Sequence, residues 1–162
     1  MSTSQQAALR EQLEHALRGD QSHIEFDAMI ADFPIEQAGV KPHGAPHSAW
    51  QLLEHLRIAQ HDILEFSRDP KHKSPPWPEG YWPKTEVPPN AHAWSESVAA
   101  FQKEFKAMQK LISDPTSDLY AAIEGGDGQT LLREAIVLAA HNSYHLGQLM
   151  FLKKMLGHKS SA

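Results

Sequence analysis

Along most of this chain apolar residues recur at alternating three- and four-residue steps, the pattern of helices that each bury one face. Between Ser4 and about Arg18, the residues Leu9, Leu13, Ala16 and Leu17 trace such a stripe, which Gly19-Asp20 interrupts. The stretch from His23 to Phe33 carries Ile24, Phe26, Met29 and Ile30 and predicts a helical continuation up to Pro34, which cannot extend a helix interior. Ser48-Ala49-Trp50-Gln51 has capping-box spacing and predicts the start of a second helix, with Leu52, Leu56, Ala59, Ile63 and Phe66 on its buried side. A third helix is predicted from about Ala91 to Ser113, with Trp94, Val98, Phe101, Phe105, Met108 and Ile112 spaced four-three-four-three-four. Thr130 is placed to cap a fourth helix that runs to about Leu156, before Gly157, with Ala135, Leu138, Leu149 and Leu152 inward. No alternating strand pattern and no fixed-period repeat competes, so the expected fold is an all-α four-helix bundle.

Two long connections remain, residues 34–47 and 69–90. The second, between helices two and three, holds seven of the 11 prolines together with Trp77, Tyr81 and Trp82. Loops of this length in compact domains are usually functional or disordered, and the aromatics argue for order because their burial offsets the entropy of fixing the chain. Either a strap across a bundle end or a wall over a binding site fits.

Length and composition narrow the function classes. A chain of 162 residues fits one domain, expected to span 1–162, with a core large enough to need no staples. No run approaches the roughly 18 apolar residues of a membrane span, and the polar start MSTSQQAALREQ lacks the apolar region of a signal peptide, so a cytoplasmic protein without a membrane role is expected. Cysteine is absent, which removes disulfides, Cys-based zinc sites and any protein thiol nucleophile. The net charge of -5 and scattered lysines make no basic stripe, so nucleic acid is not an expected partner. Histidine, with 11 copies spread along the chain, is the unusual residue.

His141 and His145 stand four apart on the fourth helix, so both project from one face, one turn apart, beside Leu138 and Leu152. In isolation such a pair is more often two hydrogen-bonded core residues than a chelate. His55 lies three after Leu52 and four before Ala59, on the inward stripe of the second helix. Three inward imidazoles without partners would leave several buried nitrogens unsatisfied, at roughly 1–3 kcal/mol each. One shared divalent transition metal removes that cost and leaves a fourth position open for water or substrate, as in catalytic zinc sites.

The run His47-Ser48-Ala49-Trp50-Gln51-Leu52-Leu53-Glu54-His55-Leu56, the Trp77–Trp82 segment, and Gly128–Glu134 leading into His141-Asn142-Ser143-Tyr144-His145-Leu146-Gly147-Gln148 resemble DinB-like proteins of the DinB/YfiT superfamily. The likeness covers nearly the whole chain, and its closing HNxYHxGQ pattern is the most specific part. It implies a four-helix bundle, frequently a homodimer, with a three-histidine site for zinc, nickel or a similar ion, whose ligands fall on His55, His141 and His145. It also implies a metal-dependent transferase or isomerase acting on a small-molecule substrate with a low-molecular-weight thiol such as bacillithiol or mycothiol. The lack of cysteine agrees with a thiol brought by a ligand.

Around those ligands, Asp62 follows His55 by seven residues, only about 20° away around the helix, and is a candidate to orient a ligand imidazole or else a solvated acid. Glu134 and Gln148 flank His141 by seven on either side and are candidates for a general base and a hydrogen-bonding amide, although an acid near a helix start often only complements the dipole. Tyr144 is expected to pack against a neighbouring helix. His43 and His47 precede the second helix and could approach the metal end, while His15, His23, His61, His72, His92 and His158 are expected on the surface. A metal-dependent enzyme leads, with S-transfer ahead of hydrolysis by resemblance alone. A non-catalytic metal- or ligand-binding stress protein is the alternative, and a ferritin-like di-iron protein fits less well still, because that pattern needs inward glutamates and two Glu-x-x-His motifs and no histidine here has a Glu three residues before it.

Overall fold

The computed structural model describes residues 2–157, which leaves His158 outside the described residues. It is all-helical: α1 Thr3–Arg18, α2 Phe26–Ala31, α3 Ala49–Arg68, α4 Ala93–Ser113 and α5 Leu131–Met155, with 3-10 turns at Ile35–Gln37 and Glu79–Tyr81. Among the described residues there is no strand, and an isolated antiparallel bridge joins Ala122 to Thr130. α3 lies against both α4 and α5, and α1 contacts the same two helices. None of these helices is long and apolar enough to cross a membrane.

The starts of the two helices that carry the histidines are set by side chains. Ser48 and Gln51 make the reciprocal box at the head of α3, with Gln51 N donating to Ser48 Oγ (3.2 Å) and Ser48 N to Gln51 Oε1 (3.0 Å). At α5, Arg133 N donates to Thr130 Oγ1 at 3.2 Å, a cap of the kind that contributes about 1 kcal/mol.

The predicted helix from His23 to Phe33 is shorter than its pattern, forming only as α2. Gly19 ends α1 in a left-handed conformation (φ 70°), and the amides of Ser22 and His23 then fold back onto its carbonyl at 3.0 and 2.9 Å. That turn consumes the residues before Glu25, so helical geometry restarts one turn late.

Apolar burial falls into two clusters. One gathers Leu52, Leu53, Leu56, Phe101 and Leu149, and the other Leu64, Met108, Ile112, Leu131 and Leu138. Where they meet, α3 and α5 turn polar residues inward. Gln60 and Asn142 are buried there, with Gln60 Nε2 donating to the Phe101 carbonyl at 2.7 Å. The imidazoles of His55 and His145 are buried beside this junction.

The connection 69–90 is laid across the start of α3. Ser48 Oγ donates to the Glu86 carbonyl (2.6 Å), Trp50 Nε1 to Thr85 Oγ1 (3.2 Å), and Lys41 pairs with Glu86. The strap passes so near Gly39 that a Cβ there would stand 2.3 Å from Val87 Cγ1, which only glycine avoids. The same course carries Tyr81 and Trp82 over His55.

Candidate metal centre

His55 on α3 meets His141 and His145 on α5. His55 Nε2 lies 3.0 Å from His141 Nε2 and 3.1 Å from His145 Nε2, and the three ligand nitrogens all fall within 4.8 Å of one another. The proton positions follow from the other ring nitrogens. His55 Nδ1 sits 2.8 Å from the carbonyl oxygen of Tyr81, and His145 Nδ1 sits 2.7 Å from Gln148 Oε1. Both partners only accept, so each Nδ1 carries the proton and each neutral ring turns a bare Nε2 lone pair toward the other.

Two lone pairs facing across 3.1 Å repel each other, and a cation between them turns that repulsion into attraction. A proton is disfavoured. Burial, followed by the neighbouring imidazoles His145 and His55, lowers the pKa of His141 to about 4. Burial likewise brings His145 to about 4 against the opposing bond from Gln148, and it lowers His55 against the raising bond from Tyr81. A divalent ion fits: metal–nitrogen distances of about 2.0–2.1 Å at tetrahedral angles set ligand nitrogens about 3.3 Å apart. The three-histidine group therefore suits a divalent metal, with neutral imidazoles as its donors.

The ligand rings are held unequally. His145 is held by its own helix through Gln148, three residues on. His55 is held from outside: the Tyr81 carbonyl accepts from its Nδ1–H, and the indole of Trp82 lies parallel to its ring at 4.0 Å and 1°. Trp82 also stacks on His47 at 4.1 Å. Tyr81 is in turn anchored by its phenol, which donates to Asp62 Oδ2 at 2.6 Å, while His72 Nε2 bonds the other carboxylate oxygen at 2.8 Å. Burial first, then the bond to Asp62, pushes the Tyr81 pKa up to about 12, so the phenol stays a donor. His141 Nδ1 is buried with no hydrogen-bond partner among the described residues.

A cavity of about 430 Å³ opens on His55 and His141, and Asp62, Tyr81, Arg133 and Glu134 stand in its walls. Glu134 is 2% exposed, and its carboxylate accepts from Arg133 Nη1 at 2.6 Å. A second, largely apolar groove of about 620 Å³ lies beyond Gln148, between His43, His47, Tyr144 and Phe151.

Several sequence expectations change at this point. Asp62 does not reach a ligand ring; its oxygens go to Tyr81 and His72, so it acts on His55 only through the strap. Gln148 spends its amide oxygen on His145, so that oxygen braces a ligand ring and is not offered to substrate. Tyr144 does not pack against a neighbouring helix: it is 65% exposed, with its ring edge-on to His145, because its place on α5 lies about 100° from that ligand, on the side no helix covers. His72 is no free surface residue, since the strap folds it onto Asp62. His23 also has a partner, bonding Ser143 Oγ through Nε2 at 2.8 Å. Sequence reasoning missed Tyr81, Trp82 and His72 as parts of this site. The aromatic content of the strap was the available signal for the first two, and nothing in the chain announces His72.

The family model of the DinB superfamily matches residues 18–149, a span that contains all three histidines and the strap. This chain belongs to the DinB superfamily. No curated protein and no solved structure matches it.

Proposed function

We propose that this protein is a divalent-metal-dependent enzyme of the DinB type, in which the four long helices form a four-helix bundle around His55, His141 and His145. The reaction proposed is transfer of a low-molecular-weight thiol to a small-molecule electrophile. The observation that carries the reading is the pair of bare Nε2 atoms at 3.1 Å, with His141 beside them, bordering a cavity large enough for a small ligand. Zinc or nickel suits three neutral imidazoles. An ion held there supplies Lewis-acid chemistry, lowering the pKa of a coordinated thiol or water so that a nucleophile exists near neutral pH.

The chain's own residues do the rest. The Tyr81 carbonyl and Gln148 hold the protons of His55 and His145 on Nδ1 and so keep both Nε2 atoms available. Trp82 shields the face of His55 from water. Glu134, buried in the cavity wall, is the candidate general base, with Arg133 holding its carboxylate. With no cysteine in the chain, the thiol must arrive with a ligand. A homodimer extends the proposal, since a second copy would cover the exposed apolar residues Ile136, Tyr144, Phe151 and Met155 of α5.

The test is electrophile turnover by metal-loaded protein with bacillithiol, mycothiol and glutathione, alongside calorimetric titration of each thiol. Turnover that needs one of these thiols and is lost in His55→Ala, His141→Ala and His145→Ala supports transfer. Metal-loaded protein that neither binds nor uses any of the three sinks it, and hydrolysis or passive metal binding then leads.

A further inference from the structure

The walls of the cavity beside the histidines are not evenly polar. Apolar side chains, Ile63, Phe66 and Val137, line it between the ligands and the start of α5, with Phe66 reaching the Gln129 end. At the start of α5 the walls carry Gln129, whose side-chain oxygen is already engaged, and Arg133, which has only donors. The Gln129 side-chain oxygen accepts from Asp127 N at 2.6 Å, so what Gln129 has left to offer a ligand is the donor NH2 group. Arg133 uses Nη1 on Glu134, and the rest of its guanidinium has no partner among the described residues although the side chain is 56% exposed. The two acids of the cavity are already engaged, Asp62 by Tyr81 and His72, Glu134 by Arg133.

A ligand complementary to these walls has an acceptor-rich anionic end, an apolar body and a reacting end toward His55 and His141. We infer that Arg133, with the Gln129 amide beside it, is a receptor for a carboxylate of the substrate, and that the substrate is a small, apolar-bodied monoanion. The inference rests on the reading of this cavity as the substrate site of the metal centre. A carboxylate matches the planar fork of one guanidinium. A phosphate dianion would meet one cationic side chain and two nearby acids, which opposes a second negative charge. Arg133 and His141 are eight residues apart on one helix, about 12 Å along its axis. That span holds a carboxylate, a short alkyl spacer and an aromatic ring.

The probes are 3-phenylpropanoate and its neutral amide, 3-phenylpropanamide, titrated calorimetrically into metal-loaded protein. The expected result is at least tenfold tighter binding of the carboxylate. In Arg133→Gln made in a Glu134→Gln background, so that no buried carboxylate is stranded, that preference is expected to vanish while the affinity for the amide matches that of Glu134→Gln alone, which separates a lost receptor from a damaged fold. Equal affinities in the parent protein, or no binding of either probe, overturn the inference. So does a preference that survives in that double variant, because the carboxylate would then be held by the metal. Titrating the parent protein with zinc and with nickel alongside the two probes separates this inference from the proposed function. An Arg133-dependent preference without any metal keeps the receptor and removes the metalloenzyme, whereas metal binding without that preference does the reverse.

Discussion

His145 and His55 turn the same atom toward the same point, yet they are held there by different parts of the chain. His145 is fixed within α5, by an amide one turn away. His55 is fixed by residues 26 and 27 positions along the chain, which reach it only because the strap is laid over α3. The first brace costs no extra ordering once the helix exists, since i and i+3 are neighbours on any helix. The second requires a connection of 22 residues, 69–90, to be held in place, and its entropy is offset by Trp50, Ser48 and Lys41 gripping the strap elsewhere. A site can therefore be half preformed by one helix and half completed by a loop.

The largest effect expected is on metal content. Replacing His55, His141 or His145 by Ala removes one of three ligands, and elemental analysis of protein purified without nickel resin is expected to fall from about one ion per chain to near zero. Full occupancy in His145→Ala would remove the assignment. Breaking the braces comes next. Trp82→Ala and Gln148→Leu each free one ligand ring, and both are expected to weaken metal affinity by roughly 10- to 100-fold. They are expected to differ in stability: Gln148→Leu strands one buried imidazole N–H, about 1–3 kcal/mol, whereas Trp82→Ala also loosens the strap and makes residues 69–90 open to proteases. Equal protease resistance in the two variants would erase the distinction between local and distant bracing.

Tyr81→Phe sharpens the same contrast, because it leaves the carbonyl that holds His55 in place and cuts only the anchor to Asp62. Its expected effect is a roughly tenfold faster loss of metal to a chelator with an unchanged circular dichroism spectrum, matching one hydrogen bond to a charged group. An unaltered rate would reduce the Asp62–Tyr81–His72 cluster to a loop clasp with no hold on the ligand.

The smallest effect is in the pH dependence of the metal-free protein. His141 and His145 have folded pKa values of about 4, below the ordinary value near 6.5. Above pH 6.5 neither the folded nor the unfolded state takes up these protons. As pH falls from 6.5 toward 4 the unfolded chain binds them and the folded chain does not, so stability is expected to decline through that window. Thermal melts between pH 7 and 5 should show the decline, and His141→Gln should make it shallower, leaving the share of His145. A flat profile in the parent protein would mean that these rings are not desolvated.

Much of this protein was legible in its residue pattern, for physical reasons. Capping chemistry and three- and four-residue periodicity are local, so the four long helices and their starts at Ser48 and Thr130 stand within a few residues of their predicted places. His141 and His145 share a face through helix geometry alone, and His55 is inward because Leu52 and Ala59 are. Where packing between distant segments decides, the sequence was silent or misleading. The turn after Gly19 cut short a helix whose apolar pattern was adequate. Tyr144 looked like a core residue and is exposed, because periodicity says which residues share a face but not which faces are covered. The course of the strap was decided by contacts 26 or more residues apart in the chain, and with it the pairing of Asp62 with Tyr81 and of His55 with a backbone carbonyl. Local geometry sets which side chains lie together on one helix, while the partner each ring nitrogen finds depends on how the loops close, and only the folded chain determines that.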